Sequence, residues 1–98
     1  MVVLANLALI VGIVITFTLS LELLNEKAVD VIQAPGWLLR IKNEVLLIVK
    51  DKVYEDLTSA EGTLQFAGDI KRTLNFILPE SKGEPLIVQA LFESFVLQ

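Results

Sequence analysis

The sequence contains no cysteine and no histidine among its 98 residues. The absence of cysteine excludes disulfides, thiolate metal sites and thiol nucleophiles. The absence of histidine removes the commonest general base and metal ligand, so neither a Ser-His-Asp nor a Cys-His arrangement can form. Glycine-rich nucleotide-binding motifs and an EF-hand loop are also missing. We therefore expect a non-catalytic protein with no cofactor and no metal site.

Charge is missing from the N-terminal segment, where the first charged side chain is Glu22. A helix rises about 1.5 Å per residue, so about 20 apolar residues cross the roughly 30 Å hydrocarbon core of a bilayer. The run 1–24 has this length and predicts a single transmembrane helix, or at least a very apolar N-terminal segment. Residues 25–98 then form a small extramembrane domain of helices, and the predicted fold class is mostly α.

Small side chains recur within this segment at every fourth position. Helical spacing places four of them in one stripe, namely Ala8, Gly12, Thr16 and Ser20. Stripes of this kind let helix backbones approach closely in lipid. The pattern therefore predicts a helix-packing surface inside the bilayer.

The first cations after the apolar run are Lys27 and Arg40. Positive charge close to a membrane span is enriched on its cytoplasmic side. This predicts a membrane location with the C-terminal part on the cytoplasmic side. Without a span, the expected location is cytoplasmic.

The same segment also carries a strand pattern, which predicts a different fold. From 13 to 23, large apolar side chains alternate with smaller or polar ones. A period of two that is rich in β-branched residues is typical of a half-buried strand. In this alternative, residues 2–23 are strands of a soluble α+β protein. Its function would be protein–protein interaction, and a homodimer would cover its surplus of apolar surface.

Two patterns divide the chain between 25 and 60. The Ala-Pro-Gly sequence at 34–36 is a break, because proline disfavours helix in the residue before it. Apolar spacing over 38–54 favours a helix, although the run 45–49 also fits a short buried strand. The prediction for this region is thus a helix that follows a break.

The C-terminal third carries clearer boundaries. Thr58 to Glu61 has the form of a capping box, and helical spacing of apolar residues continues from there to Pro79. The segment 79–84 is a loop by composition. Pro85 suits a first helical turn, and the apolar residues after it predict a last amphipathic helix.

Trp37, Arg40 and Lys42 follow the break and combine an indole ring with two cations. Tryptophan beside basic residues is typical of a membrane interface, where the ring lies among the headgroups. These residues are therefore a candidate interfacial anchor. The alternative is that Trp37 is an ordinary core side chain.

The net charge of −4 argues against nucleic acid as a partner, because phosphate binding requires a positive surface. The mean hydropathy of +0.67 indicates apolar surface that one small domain does not bury alone. The predicted function is a non-catalytic, membrane-anchored structural or assembly subunit of a larger complex. Its expected partners are other protein subunits or further copies of the chain, together with the lipid bilayer.

Overall fold

The computed structural model describes residues 3–11, 15–80 and 83–97, with side chains described for 17–53, 55–80 and 83–92. More of these residues lie in helices than in strands. The elements are β1 (Val3–Val11), β2 (Ile15–Leu23), α1 (Glu26–Gln33), α2 (Pro35–Lys50), α3 (Tyr54–Thr58), α4 (Ala60–Ile77) and β3 (Ile87–Leu97).

The N-terminal segment forms strands, so the predicted transmembrane helix over 1–24 is wrong for the described residues there. β1 and β2 pair antiparallel along their whole length, from Val3 opposite Leu23 to Val11 opposite Ile15. The alternation in the sequence explains this outcome. Phe17, Leu19 and every second residue to Leu23 are fully buried. A helix would have spread these side chains around its circumference, whereas a strand places them on one face.

No helix in the described part of the chain has both the length and the apolar run that a membrane crossing requires. The predicted sidedness of the C-terminal part is not tested by the fold and stays a prediction. The alternative prediction of strands over 2–23 is confirmed for 3–11 and 15–23.

The three strands form one antiparallel sheet in the order β1-β2-β3. Its central strand, β2, sends the fully buried side chains to the face where the helices lie. The core on this face also includes Ile41 and Val45 of α2 and Ile70 of α4. Of the residues between these positions of β2, Thr18 and Glu22 are half-buried, whereas Ser20 is buried. The domain is therefore a sheet with one layer of helices on one face.

α1 ends at Gln33 and α2 begins at Pro35, which lies at the first helical position. Asn25 caps α1, because its side-chain oxygen accepts a hydrogen bond from the Ala28 N–H at 3.1 Å. The helix predicted over 38–54 is confirmed as far as Lys50, where α2 ends. The chain then leaves the helix before α3 begins.

α4 begins one residue later than the capping pattern predicts. The N-cap is Ser59, whose Oγ accepts a hydrogen bond from the Gly62 N–H at 2.9 Å. Phe66, Ile70 and Leu74 recur at every fourth position and are fully buried. α4 thus packs on the sheet through one stripe of large apolar side chains.

The last predicted helix is wrong, because Ile87–Leu97 is strand β3. β3 pairs antiparallel with β2 and contains two register irregularities, one opposite Glu22 and one opposite Thr18. Each inserts an extra residue into β3, so its core-facing positions are spaced by three as well as by two. Ile87 and Ala90 are both buried and three residues apart. That spacing imitates a helix in the sequence.

Three phenylalanine rings form the centre of the core where β2, α4 and β3 meet. Phe17 lies edge-on to Phe66 at 5.8 Å and to Phe92 at 5.6 Å between ring centroids. Phe66 and Phe92 stack at 5.2 Å. Offset stacking and edge-to-face contacts are the favourable geometries of aromatic pairs. These contacts fix α4 against β3 and so determine the geometry of the surface between them.

Candidate protein interface

One stripe of α4 runs beside the free edge of β3. Helical spacing places Leu64, Gly68, Lys71 and Asn75 on this stripe, about one quarter turn or more away from the buried stripe. β3 is the last strand in the sheet order, so its outer edge faces no further strand among the described residues. The side chains of this stripe consequently decide what can approach that edge.

Asn75 occupies the beginning of the edge and replaces a neighbouring strand there. Its Nδ2 donates to the Ile87 C=O at 2.9 Å, and its Oδ1 accepts from the Ile87 N–H at 2.9 Å. A paired strand would offer the same donor and acceptor. Asn75 therefore closes this part of the edge and connects α4 to β3.

Asn75→Asp is expected to lower the free energy of unfolding by about 1–3 kcal/mol, the usual cost of leaving a buried backbone group, here the Ile87 C=O, without its partner. The carboxylate has no N–H to donate, so it would place an acceptor against the Ile87 carbonyl. Urea unfolding measures the effect. Asn43→Asp is the matched control, because Asn43 is exposed on α2 and the charge change is identical. Equal urea midpoints for the two variants would contradict the role given to Asn75.

Beyond Asn75 the edge opens into a shallow groove, which we call the α4–β3 groove. It has a cavity volume of about 220 Å³. Its lining residues are Leu64, Ala67, Gly68, Lys71, Gln89, Ala90 and Leu91. Leu64 is 74% exposed and Leu91 is 38% exposed, so the groove presents apolar side chains to solvent on both sides. This volume lies below the usual range of small-molecule sites, about 300–1,000 Å³, and suits one or two side chains of a protein partner.

An ion-pair network lies elsewhere on α4. Lys52 Nζ is 2.7 Å from Asp69 Oδ2, and Arg72 Nη2 pairs with the other oxygen of the same carboxylate. The Lys52 and Asp69 side chains are 15% and 21% exposed. The network connects the segment after α2 to α4. Since both carboxylate oxygens already bind cations, we interpret the network as structural support for α4.

The predicted helix-packing stripe does not form, because its described members lie on strands. Ala8 is on β1, whereas Thr16 and Ser20 are on β2; Gly12 lies outside the described residues. The sheet register places Ala8 opposite Thr18. Among the described residues, the fourfold spacing thus does not correspond to one stripe of a helix.

Trp37 and Arg40 do come together, near the beginning of α2. The Arg40 guanidinium lies over the indole ring at 5.6 Å from its centroid, a cation–π distance. Trp37 is half-buried and packs against the core, while Lys42 is half-buried elsewhere on the helix. Arg40 and the neighbouring Leu39, which is 70% exposed, face solvent. A role as an interfacial anchor stays a prediction.

Sequence reasoning missed the two residues that define the groove most directly. Asn75 lies within an apolar helical stretch and resembles an ordinary solvent-facing position. Ala90 resembles one residue of an amphipathic helix until β3 is recognised as a strand. A signal for Asn75 exists only as its position on one stripe with Leu64 and Lys71.

The described residues contain no group of three acidic side chains placed to hold a metal ion. What this part of the chain offers instead is surface: a groove beside a strand edge and several exposed apolar side chains. Besides Leu39 and Leu64, Phe76 on α4 is 90% exposed. Exposed apolar side chains of this size are typical of protein contacts when they accompany a shaped surface.

A search of curated protein sequences finds no significant match to this chain. A family model, by contrast, matches residues 6–98, which is nearly the whole chain. Its match includes β2, all four helices and β3, and so covers both sides of the groove. The chain belongs to the FliL family, described as flagellar basal body-associated protein FliL.

Proposed function

We propose that this chain is a non-catalytic structural subunit of the flagellar basal body, which it joins through protein–protein contacts. The observation that carries this proposal is the family match over residues 6–98. The match includes the N-terminal strands from Asn6 onward and the C-terminal strand, so it concerns the folded domain as a whole.

The surface of the helix layer supports an assembly role. Leu39 on α2 and Phe76 on α4 are 70% and 90% exposed. Burial of such side chains by a partner stabilises the complex by about 25 cal/mol per Å² of apolar area. Interface hot spots are enriched in large side chains surrounded by less important contacts. Phe76 is therefore the first residue to test.

Recovery with purified basal bodies tests this proposal. In the source organism, an epitope-tagged copy of the chain is expected to co-purify with basal bodies. Phe76→Glu is expected to reduce that recovery about tenfold or more, since the loss of a hot-spot side chain typically costs about 2 kcal/mol. The same strains are scored for swimming.

The matched control is Gln65→Glu, because Gln65 is exposed on the same helix and gains the same charge. It should be recovered like the wild type. Two results would argue against the proposal. In the first, the wild-type chain is absent from purified basal bodies. In the second, deletion of the chain leaves both basal bodies and swimming unchanged. Equal recovery of Phe76→Glu and the wild type would show that Phe76 is not part of the interface.

A further inference from the structure

The backbone of β3 points some of its hydrogen-bonding groups into the α4–β3 groove. Ile87 and Ala90 are opposite Leu23 and Leu21 of β2, which are alternate residues of that strand. The N–H and C=O of alternate residues point to the same side of a strand, so the backbone groups of Ile87 and Ala90 point to the same side of β3. The Ile87 groups point away from β2, because Asn75 binds both of them from α4. The Ala90 N–H and C=O consequently also point away from β2.

Ala90 differs from Ile87 in having no such partner. Among the described residues, no hydrogen bond from outside the sheet reaches the Ala90 N–H or C=O. The facing position on α4 is Gly68, and a methyl group there would meet only the Arg72 side chain, at 3.7 Å. The groove thus places an unpaired donor and acceptor beside the empty space at Gly68, while the Ala90 residue itself is only 4% exposed.

This combination selects the kind of occupant. A donor and an acceptor on a strand edge are satisfied together by an extended backbone, whereas a helix has already paired its own groups. Leu64 and Leu91 offer apolar contact for side chains of such a strand. Lys71 carries the only charge among the described residues that line the groove. A complementary strand therefore bears an acidic side chain near Lys71.

We propose that the α4–β3 groove binds an extended, acidic peptide segment of a partner protein, which adds to β3 as a short further strand. Asn75 already pairs with the N–H and C=O of Ile87, so the added strand ends before it reaches Ile87. The inference rests on the proposed function only in that the partner is a protein. β1 of a second copy fits less well, since Val3–Val11 contains no acidic residue to face Lys71.

The test titrates the full chain with a synthetic peptide of alternating valine and threonine that has one central glutamate and blocked ends. Calorimetry gives Kd, and backbone amide spectra locate the site. We expect the largest amide shift at Ala90. Replacing the central glutamate by lysine should weaken binding about tenfold, as expected for loss of one ion pair and gain of a repulsion. A backbone N-methylated peptide should not bind measurably.

Three variants make the test specific. Lys71→Glu should reverse the preference, so that the lysine peptide binds more tightly than the glutamate peptide. Lys50→Glu is the matched control, because Lys50 is exposed at the end of α2 and lies away from the groove. It should keep the wild-type preference. Gly68→Leu should fill the groove and weaken both peptides about tenfold or more.

Several outcomes overturn the inference. Equal binding of the N-methylated peptide would show that backbone pairing is not used. Equal effects of Lys71→Glu and Lys50→Glu would show general charge attraction instead of a site. Self-association of the chain that Gly68→Leu abolishes, measured by sedimentation, would identify a second copy as the occupant. These measurements use only the purified chain and peptides. A negative result would therefore overturn the groove proposal without affecting the proposed function, which recovery with basal bodies tests separately.

Discussion

Phe66→Ala is expected to lower the free energy of unfolding by about 3–5 kcal/mol, the range for deleting a buried phenylalanine side chain. Phe66 is fully buried and contacts both other rings of the aromatic cluster. The substitution removes apolar contact area, two ring–ring interactions and the volume that separates α4 from β3. A domain of this size has only about 5–15 kcal/mol of stability, so the substitution is expected to remove a large fraction of it.

Urea or thermal unfolding followed by circular dichroism measures the change. Phe76→Ala provides the matched control, because Phe76 is on the same helix and is 90% exposed. It is expected to change stability by about 0.5 kcal/mol or less. A similar loss for the two variants would mean that the buried and exposed faces of α4 are assigned wrongly.

Gly62→Ala is expected to destabilise the protein by about 1–3 kcal/mol or more, although alanine is the better helix former by about 1 kcal/mol. A Cβ on Gly62 would overlap the Asp56 carbonyl oxygen and lie 2.7 Å from the carbonyl carbon. It would also lie 2.8 Å from Ser59 Oγ, the N-cap atom of α4. Because the main obstacle is backbone, α3 has to move before the methyl group fits.

Gly68→Ala on the same helix is expected to change the stability in the opposite direction, as a stabilisation. The nearest atom to its Cβ is on the flexible Arg72 side chain at 3.7 Å, an ordinary contact. Removing glycine from a helix interior then stabilises by about 0.5–1 kcal/mol. Parallel thermal melts of the two variants compare them directly. If Gly62→Ala raises the melting temperature as Gly68→Ala is expected to, the close approach of α3 to Gly62 is refuted.

The N-terminal segment shows how two periodicities compete in one sequence. Its length and lack of charge favoured a membrane helix, and its alternation favoured a strand. The alternation was the more informative pattern, because a strand buries every second side chain and leaves the others less covered. Phe17 and Leu19 are fully buried while Thr18 between them is not. An apolar segment with such alternation is thus compatible with the central strand of a small sheet.

β3 could not be recognised from its sequence because its irregularities change the spacing of its buried residues. A regular strand repeats every two residues, but Ile87 and Ala90 are three apart and share a face. Only pairing with β2 shows where the extra residues lie. Patterns within one segment do not contain that information.

The helices were more predictable, since their local signals agree with their environment. Pro35 at the first position of α2 and the serine cap of α4 both mark the beginnings of helices. The orientation of α4 was less accessible. Leu64 fits the apolar spacing but is exposed, and Phe66 provides the core contact instead. Which apolar residue of a helix faces the core depends on the element it packs against.

The α4–β3 groove depends entirely on tertiary structure. Asn75 and Ile87 are twelve positions apart, and their hydrogen bonds exist only because α4 runs along the edge of β3. The availability of the Ala90 backbone follows from the bulge before it. A sequence therefore predicts which residues share a face of a helix more readily than it predicts which part of a strand edge that helix leaves uncovered.

Cross-strand proton contacts test the arrangement of the sheet most directly, and the groove and its proposed partner depend on that arrangement. In antiparallel strands, Hα atoms of pairs that are not hydrogen-bonded to each other lie close together. The register predicts Hα–Hα nuclear Overhauser effects between Asn6 and Ser20 and between Leu21 and Ala90. Both signals are expected from the labelled chain in buffer. Helical contacts from each Hα to the amide three residues later, throughout 3–11 and 15–23, would contradict the sheet and its register.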